Sequence, residues 1–234
     1  MFARFVYITI ILASLLTNCS LASPKISPTT MPTSAPTLES IQPLAPLSIV
    51  PYPPPASISI PSSPSQLSTN LAVLNRAADV ILALKNRDMT TLANYVHPQM
   101  GLRFSPYAFI QETDRLFQSN KVAALFKDRT VYTWGYLSGS GAPINLDFAG
   151  YFSKFIYDVD FANAPQMALN HRLGESTSID NSHEFYPGEA IIEFYFPGFD
   201  PQYENMDWRS LRLVFSELNG AWYLVGIIHD QWTT

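Results

Sequence analysis

The chain holds one cysteine, four histidines and ten glycines among 234 residues. A lone cysteine, Cys19, cannot close an intrachain disulfide, so any folded part must draw its stability from its core. It equally excludes a zinc site of the Cys-x-x-Cys kind, and no His-x-x-x-His pair replaces it. Neither a metal nor a cofactor is expected. Charge is sparse and acidic in balance, with 14 Lys and Arg against 19 Asp and Glu. The absence of a basic stripe argues against nucleic acid as a partner and against a polybasic grip on anionic lipid. There is no Gly-rich phosphate loop, no Gly-x-Ser-x-Gly elbow and no Ser-x-x-Lys, which removes the common nucleotide-binding and serine-hydrolase chemistries. The apolar run from Phe5 to Leu16 falls well short of the roughly 20 residues a helix needs to cross a bilayer.

That short run has the form of a targeting signal, with Arg4 and the N-terminal amine ahead of it. It ends in Leu16-Thr17-Asn18-Cys19. This ending resembles the lipobox of bacterial lipoproteins, with Asn18 standing where Gly, Ala or Ser is usual. The resemblance implies lipidation of Cys19 and a membrane anchor through its acyl chains, of which two suffice for stable attachment. A competing cleavage site, Ser20-Leu21-Ala22, would discard Cys19 and release a secreted protein. Residues 20–66 carry 12 of the 19 prolines and only two charges, Lys25 and Glu39. Such a composition cannot bury enough apolar surface to fold, and proline favours an extended spacer. Residues 1–19 therefore read as a signal peptide, 20–66 as a disordered tether, and 67–234 as a single domain. The expected location is extracytoplasmic.

The domain opens with helical spacing at Leu71, Leu74, Ala78, Ile81 and Leu82, for which Ser68 or Thr69 is a candidate N-cap. Asp88 can cap a second helix from Met89 to Val96, which must end before His97-Pro98. Gly101–Ser105 and Thr130–Leu137 read as strands, Ser138–Gly141 as a loop, and Thr113–Phe126 and Phe148–Asp158 as helices. The last third reads as β: Ala190–Phe196, then Trp208–Glu217 and Ala221–Trp232 around the hairpin signal Asn219-Gly220. Strict alternation puts Trp222, Leu224, Gly226 and Ile228 on one face of the final strand and Tyr223, Val225, Ile227 and His229 on the other. Both faces are largely apolar, as in a central strand.

A long helix, a break at Asp88, a short helix, and strands ending in a long hairpin resemble the NTF2-like (SnoaL-like) cone. The resemblance implies an α+β fold in which N-terminal helices pack on a curved antiparallel sheet around a pocket. Tyr95-Val-His-Pro98, Arg103-Phe-Ser-Pro-Tyr107 and Trp222–Trp232 further resemble an uncharacterised family of bacterial secreted proteins and lipoproteins. No activity comes with that likeness, and fold alone does not assign one.

Candidate chemistry is limited. His97, His229 and Asp230 could form a base with an orienting carboxylate; the plainer reading has His97 bonding the helix end and His229 closing a strand. Arg103 alternates with Leu102 and Phe104, so it projects from the opposite sheet face, toward an anionic ligand or a surface carboxylate. Arg103, Tyr107 and Trp134 are the ligand-binding candidates, and Tyr136, Tyr195, Tyr223 and Trp232 are further aromatics for a sugar or peptide groove. His171 and His183 read as solvated. The function expected is a lipid-anchored, non-catalytic binding protein of the bacterial envelope, for a small molecule, glycan or protein. A small-pocket isomerase or lyase is the alternative.

Overall fold

The computed structural model describes residues 64–175 and 178–233. Cys19, the signal segment and the tether up to Ser63 lie outside the described residues.

Helix α1 spans Pro64–Lys85 and α2 spans Met89–Tyr95. The α1 start lies earlier than the caps expected at Ser68 or Thr69; both hydroxyls instead bond the Ser65 carbonyl from inside the helix. By length and composition α1 could cross a membrane, but Val73, Ala77, Val80, Ile81 and Leu84 are buried in the domain core. Asp88 caps α2 as the sequence suggests, accepting from the Thr91 N–H at 3.0 Å and the Thr91 hydroxyl at 2.7 Å.

The strands are β1 (Leu102–Ser105), β2 (Arg115–Phe117), β3 (Tyr132–Tyr136), β4 (Pro143–Leu146), β5 (Gln166–Leu169), β6 (Ala190–Phe196), β7 (Arg209–Leu218) and β8 (Ala221–Gln231). Six of them form a curved, unclosed sheet in the order β2-β1-β8-β7-β6-β5, and β3 and β4 pair separately. The fold is therefore α+β. The sheet is not wholly antiparallel, because β1 runs parallel to β8 with Arg103 beside Gly226. Short helices α3 (Ser119–Val122), α4 (Phe148–Phe155) and α5 (Ser182–Phe185) complete it.

The helix expected over Thr113–Phe126 is not one element. Asp114, the second residue of that span, is buried and accepts from the Ser105 hydroxyl at 2.6 Å and the Gln111 N–H at 3.0 Å. That anchor turns the chain so that Arg115–Phe117 pairs with β1, and Gln118 then starts α3. Tertiary pairing overrides local propensity here.

Asn219-Gly220 forms the predicted two-residue turn, with φ of +53° and +79°. The expected faces of β8 hold only in part. Val214 pairs Gly226 and Phe215 pairs Leu224, which leaves Val225 without an opposite number. This bulge switches the alternation. Leu224 and Ile227 enter the core under α1, α2 and α4, while Val225 and Ile228 join Val214, Ile191, Ile110 and Tyr186 on the second face. A Cβ on Gly226 would lie 2.9 Å from the Tyr186 hydroxyl, so glycine is what allows that close packing. With residues packed on both sides, β8 is central, as its two apolar faces imply.

Candidate functional site

The acid–base candidates are buried, and the structure does not bring them together. The His97 N–H donates to the Leu224 carbonyl, and its Nδ1 accepts from the N–H groups of Gln99 and Met100 in the turn after α2. His229 lies five residues further along β8, about 16 Å away at a strand's rise. It faces the helices, edge-on to Phe155, with Nε2 3.3 Å from Asp158 Oδ2. Asp230, the next residue, points to the other face of the sheet.

On the helix side, Asp158 follows α4 and joins His229 to Arg209, whose Nε lies 3.0 Å from Asp158 Oδ2. Burial pushes the Asp158 carboxyl up, but the His229 contact and the charges of His229 and Arg209 outweigh it and lower the group. On the opposite side, Asp230 and Arg212 are 1% and 2% exposed and 3.0 Å apart. Arg172 reaches Asp230 at 2.9 Å and Asp180 reaches Arg212 at 2.6 Å. Beside them the buried Glu193 accepts from the N–H groups of Leu173 and Gly174 and from the Ser210 hydroxyl. Burial raises Asp230 against the pull of Arg212 and Arg172. Asp180 sits nearer solvent; burial pushes it up as well, but Arg212, the Ser182 bonds and Arg172 bring it below the ordinary carboxylate range. Each charge is met by a neighbour's charge or a hydrogen bond, which makes this network a tie for the segment before α5.

Arg103 projects from the second face as its alternation implies. Its Nη1 donates to the carbonyls of Gln111, Glu112 and Asp114, and Nη2 lies 3.5 Å from the exposed Glu112 carboxylate. Its guanidinium also stacks on Phe185. It organises the 111–114 loop. Trp134 is a core residue: 1% exposed, stacked on Tyr151 at 3.8 Å, its indole N–H bonded to the Leu146 carbonyl. Tyr136 is exposed, Tyr195 tilts against Trp208, and Tyr223 meets His97 edge-on, so these aromatics do not share a groove with Trp134. His171 and His183 are exposed.

Tyr107 and Trp232 do meet a common surface. Near the C-terminal end of β8 three hollows of about 350, 330 and 440 Å³ adjoin one another. The first two share Tyr107 and Ser138; the second and third share Gln231 and Trp232. Tyr107 is half-buried, its ring edge-on to Phe155, and burial raises its phenol. The cleft is open and unlike a closed catalytic chamber. Sequence reading identified Tyr107 and Trp232 but missed Asp158, Arg172, Asp180, Glu193, Arg209 and Arg212. Glu193 and Arg212 did carry a signal, as lone charges inside apolar strands, and they sit opposite each other in register.

The chain matches no protein-family model, no curated protein and no solved structure.

Proposed function

We propose that this is a lipid-anchored, non-catalytic binding protein of the bacterial cell envelope, displayed outside the cytoplasm on a proline-rich tether. The observation that carries the binding role is the open cleft at the end of β8, built where four loops and a strand end meet. The dispersal of His97, His229 and Asp230 favours it over the isomerase or lyase alternative, which needs an aligned pair facing one pocket. The order of a long helix, an Asp88 break, a short helix and a sheet ending in a hairpin supports assignment to the NTF2-like cone. In this chain the aromatics of β3 and α4, from Trp134 to Phe155, fill the space under the sheet, and the binding surface lies outside it.

Anchoring rests on Leu16-Thr17-Asn18-Cys19. Intact mass of the mature protein and its partitioning into detergent test it. Acyl mass on an N-terminal Cys19 is expected. A mature N-terminus at Ser23, with all protein in the aqueous phase, would sink the anchor.

A further inference from the structure

The cleft at the end of β8 has a composition that selects a class of ligand. We infer that it is an oligosaccharide site for a linear chain of N-acetylated hexosamines; this rests on the binding role proposed above.

The shape comes first. The three hollows adjoin one another through shared lining residues and are open to solvent, which suits a ligand that spans them. Each is of the size that holds a small ligand, which suits successive units of a chain better than one compact molecule.

The chemistry of the walls agrees. Aromatic rings line each hollow: Phe109 and Tyr107 the first, Tyr107 and Trp232 the second, Trp232 and Tyr203 the third. Flat apolar rings at intervals are what the C–H faces of pyranose rings stack on. Between them lie neutral hydrogen-bonding groups, Gln111, Ser138, Ser140 and Gln231, fitted to hydroxyls and amides. Leu137, Ile179 and Met206 add apolar side chains, the last two exposed, against which acetamido methyl groups can pack. Two of the three ionic residues in the walls are already committed. Asp207 accepts from the Phe199 and Asp200 N–H groups, and Arg209 is held by Asp158 and by the carbonyls of Asp207 and Trp208. Only Lys154 remains, lying over the Phe155 ring. A strongly charged ligand would find little to pair with.

The loop at the third hollow is tied to itself. The loop carrying Tyr203 and Met206 holds two consecutive non-glycine residues, Glu204 and Asn205, at φ of +49° and +66°. Such backbone is costly and persists only where its surroundings over-determine it. Here the Asp207 carboxylate ties the loop's start to its end. Tyr203 stands half-exposed at the cleft, with its ring available to a ligand.

Titration calorimetry of the mature protein with chitobiose, chitotetraose and chitohexaose tests the inference. Affinity should rise at least tenfold from dimer to hexamer, as successive hollows fill. Tyr203→Ala, on the exposed loop, should lower hexamer affinity about tenfold with no change in melting temperature. Ser138→Arg, which fills the middle hollow from an exposed turn, should abolish binding while the fold is kept. Lack of hexamer binding, or equal affinity for dimer and hexamer, overturns the glycan assignment, as does unchanged affinity in both variants. An apolar peptide that binds wild type but not Ser138→Arg would overturn it while leaving the cleft as a binding site. If neither glycan nor peptide responds to Ser138→Arg, the binding role itself falls with it.

Discussion

Arg212 is the residue whose loss should be felt most. It is buried on β7 between Asp180 and Asp230, and its removal leaves the Asp230 carboxylate with Arg172 alone. Breaking a buried pair from one side costs about 3–5 kcal/mol, so Arg212→Ala should lower the urea midpoint by that equivalent at neutral pH. Leu224 is fully buried in the helix-side core, and Leu224→Ala should cost about 2–5 kcal/mol in the same measurement. Gly226→Ala inserts a methyl against Tyr186 and Val214 and should cost about 1–3 kcal/mol through overpacking. Acid sensitivity also has a residue-scale cause. The Tyr157 hydroxyl, Lys85 and Asn163 hold the Asp160 carboxyl down at about 2, against an ordinary value of 3.8. The unfolded chain therefore binds a proton there before the folded one does, and stability falls as pH drops from about 4 to 2. Asp158 and Asp180 act with the same sign; Asp114 and Asp230, raised by burial, act against it. Asp160→Asn should make the decline of the urea midpoint between pH 4 and 2 shallower.

At the scale of elements, the sequence was most legible where local chemistry decides. Asp88 caps α2 through its own side chain, and Asp88→Ala should cost about 1 kcal/mol. Asn219-Gly220 specifies its hairpin because both positions need positive φ. No atom lies within 4 Å of a Cβ on Gly220, so Gly220→Val should cost about 1–3 kcal/mol through backbone strain alone, read as a lowered urea midpoint with an unchanged m-value. Strand β2 was not legible, because Arg115–Phe117 is extended only through its partner β1 and the turn that Asp114 anchors. The bulge at Val225 was hidden for a similar reason: alternation along one strand contains no term for a residue skipped by its neighbour. It decided that Leu224 and Ile227 share a face. The ionic residues of β6 and β7 were visible as lone charges in apolar runs, but their partners Arg172 and Asp180 lie in a segment with no periodicity to place them.

For the whole molecule, the apolar stripe of α1 predicts that the domain folds without the tether. A fragment from Pro64 to Thr234 should melt cooperatively within a few degrees of the full mature chain in differential scanning calorimetry; a fall of many degrees would show that the tether contributes to the fold. The helix pair around Asp88, the final hairpin and the centrality of β8 followed from sequence, since each depends on spacing, capping or turn chemistry within a few residues; the α+β class followed from the resemblance that their order carries. Tertiary structure alone decided which candidates share a surface. His229 and Asp230 are neighbours in the chain, yet the pleat sends them to opposite sides of the sheet, one to Asp158 and the other to Arg212. Tyr107 and Trp232 are 125 positions apart in sequence, and they line one cleft because β1 runs parallel to β8 and their C-terminal ends emerge together. Side-chain direction follows from local geometry; proximity follows from strand order, which non-local pairing sets.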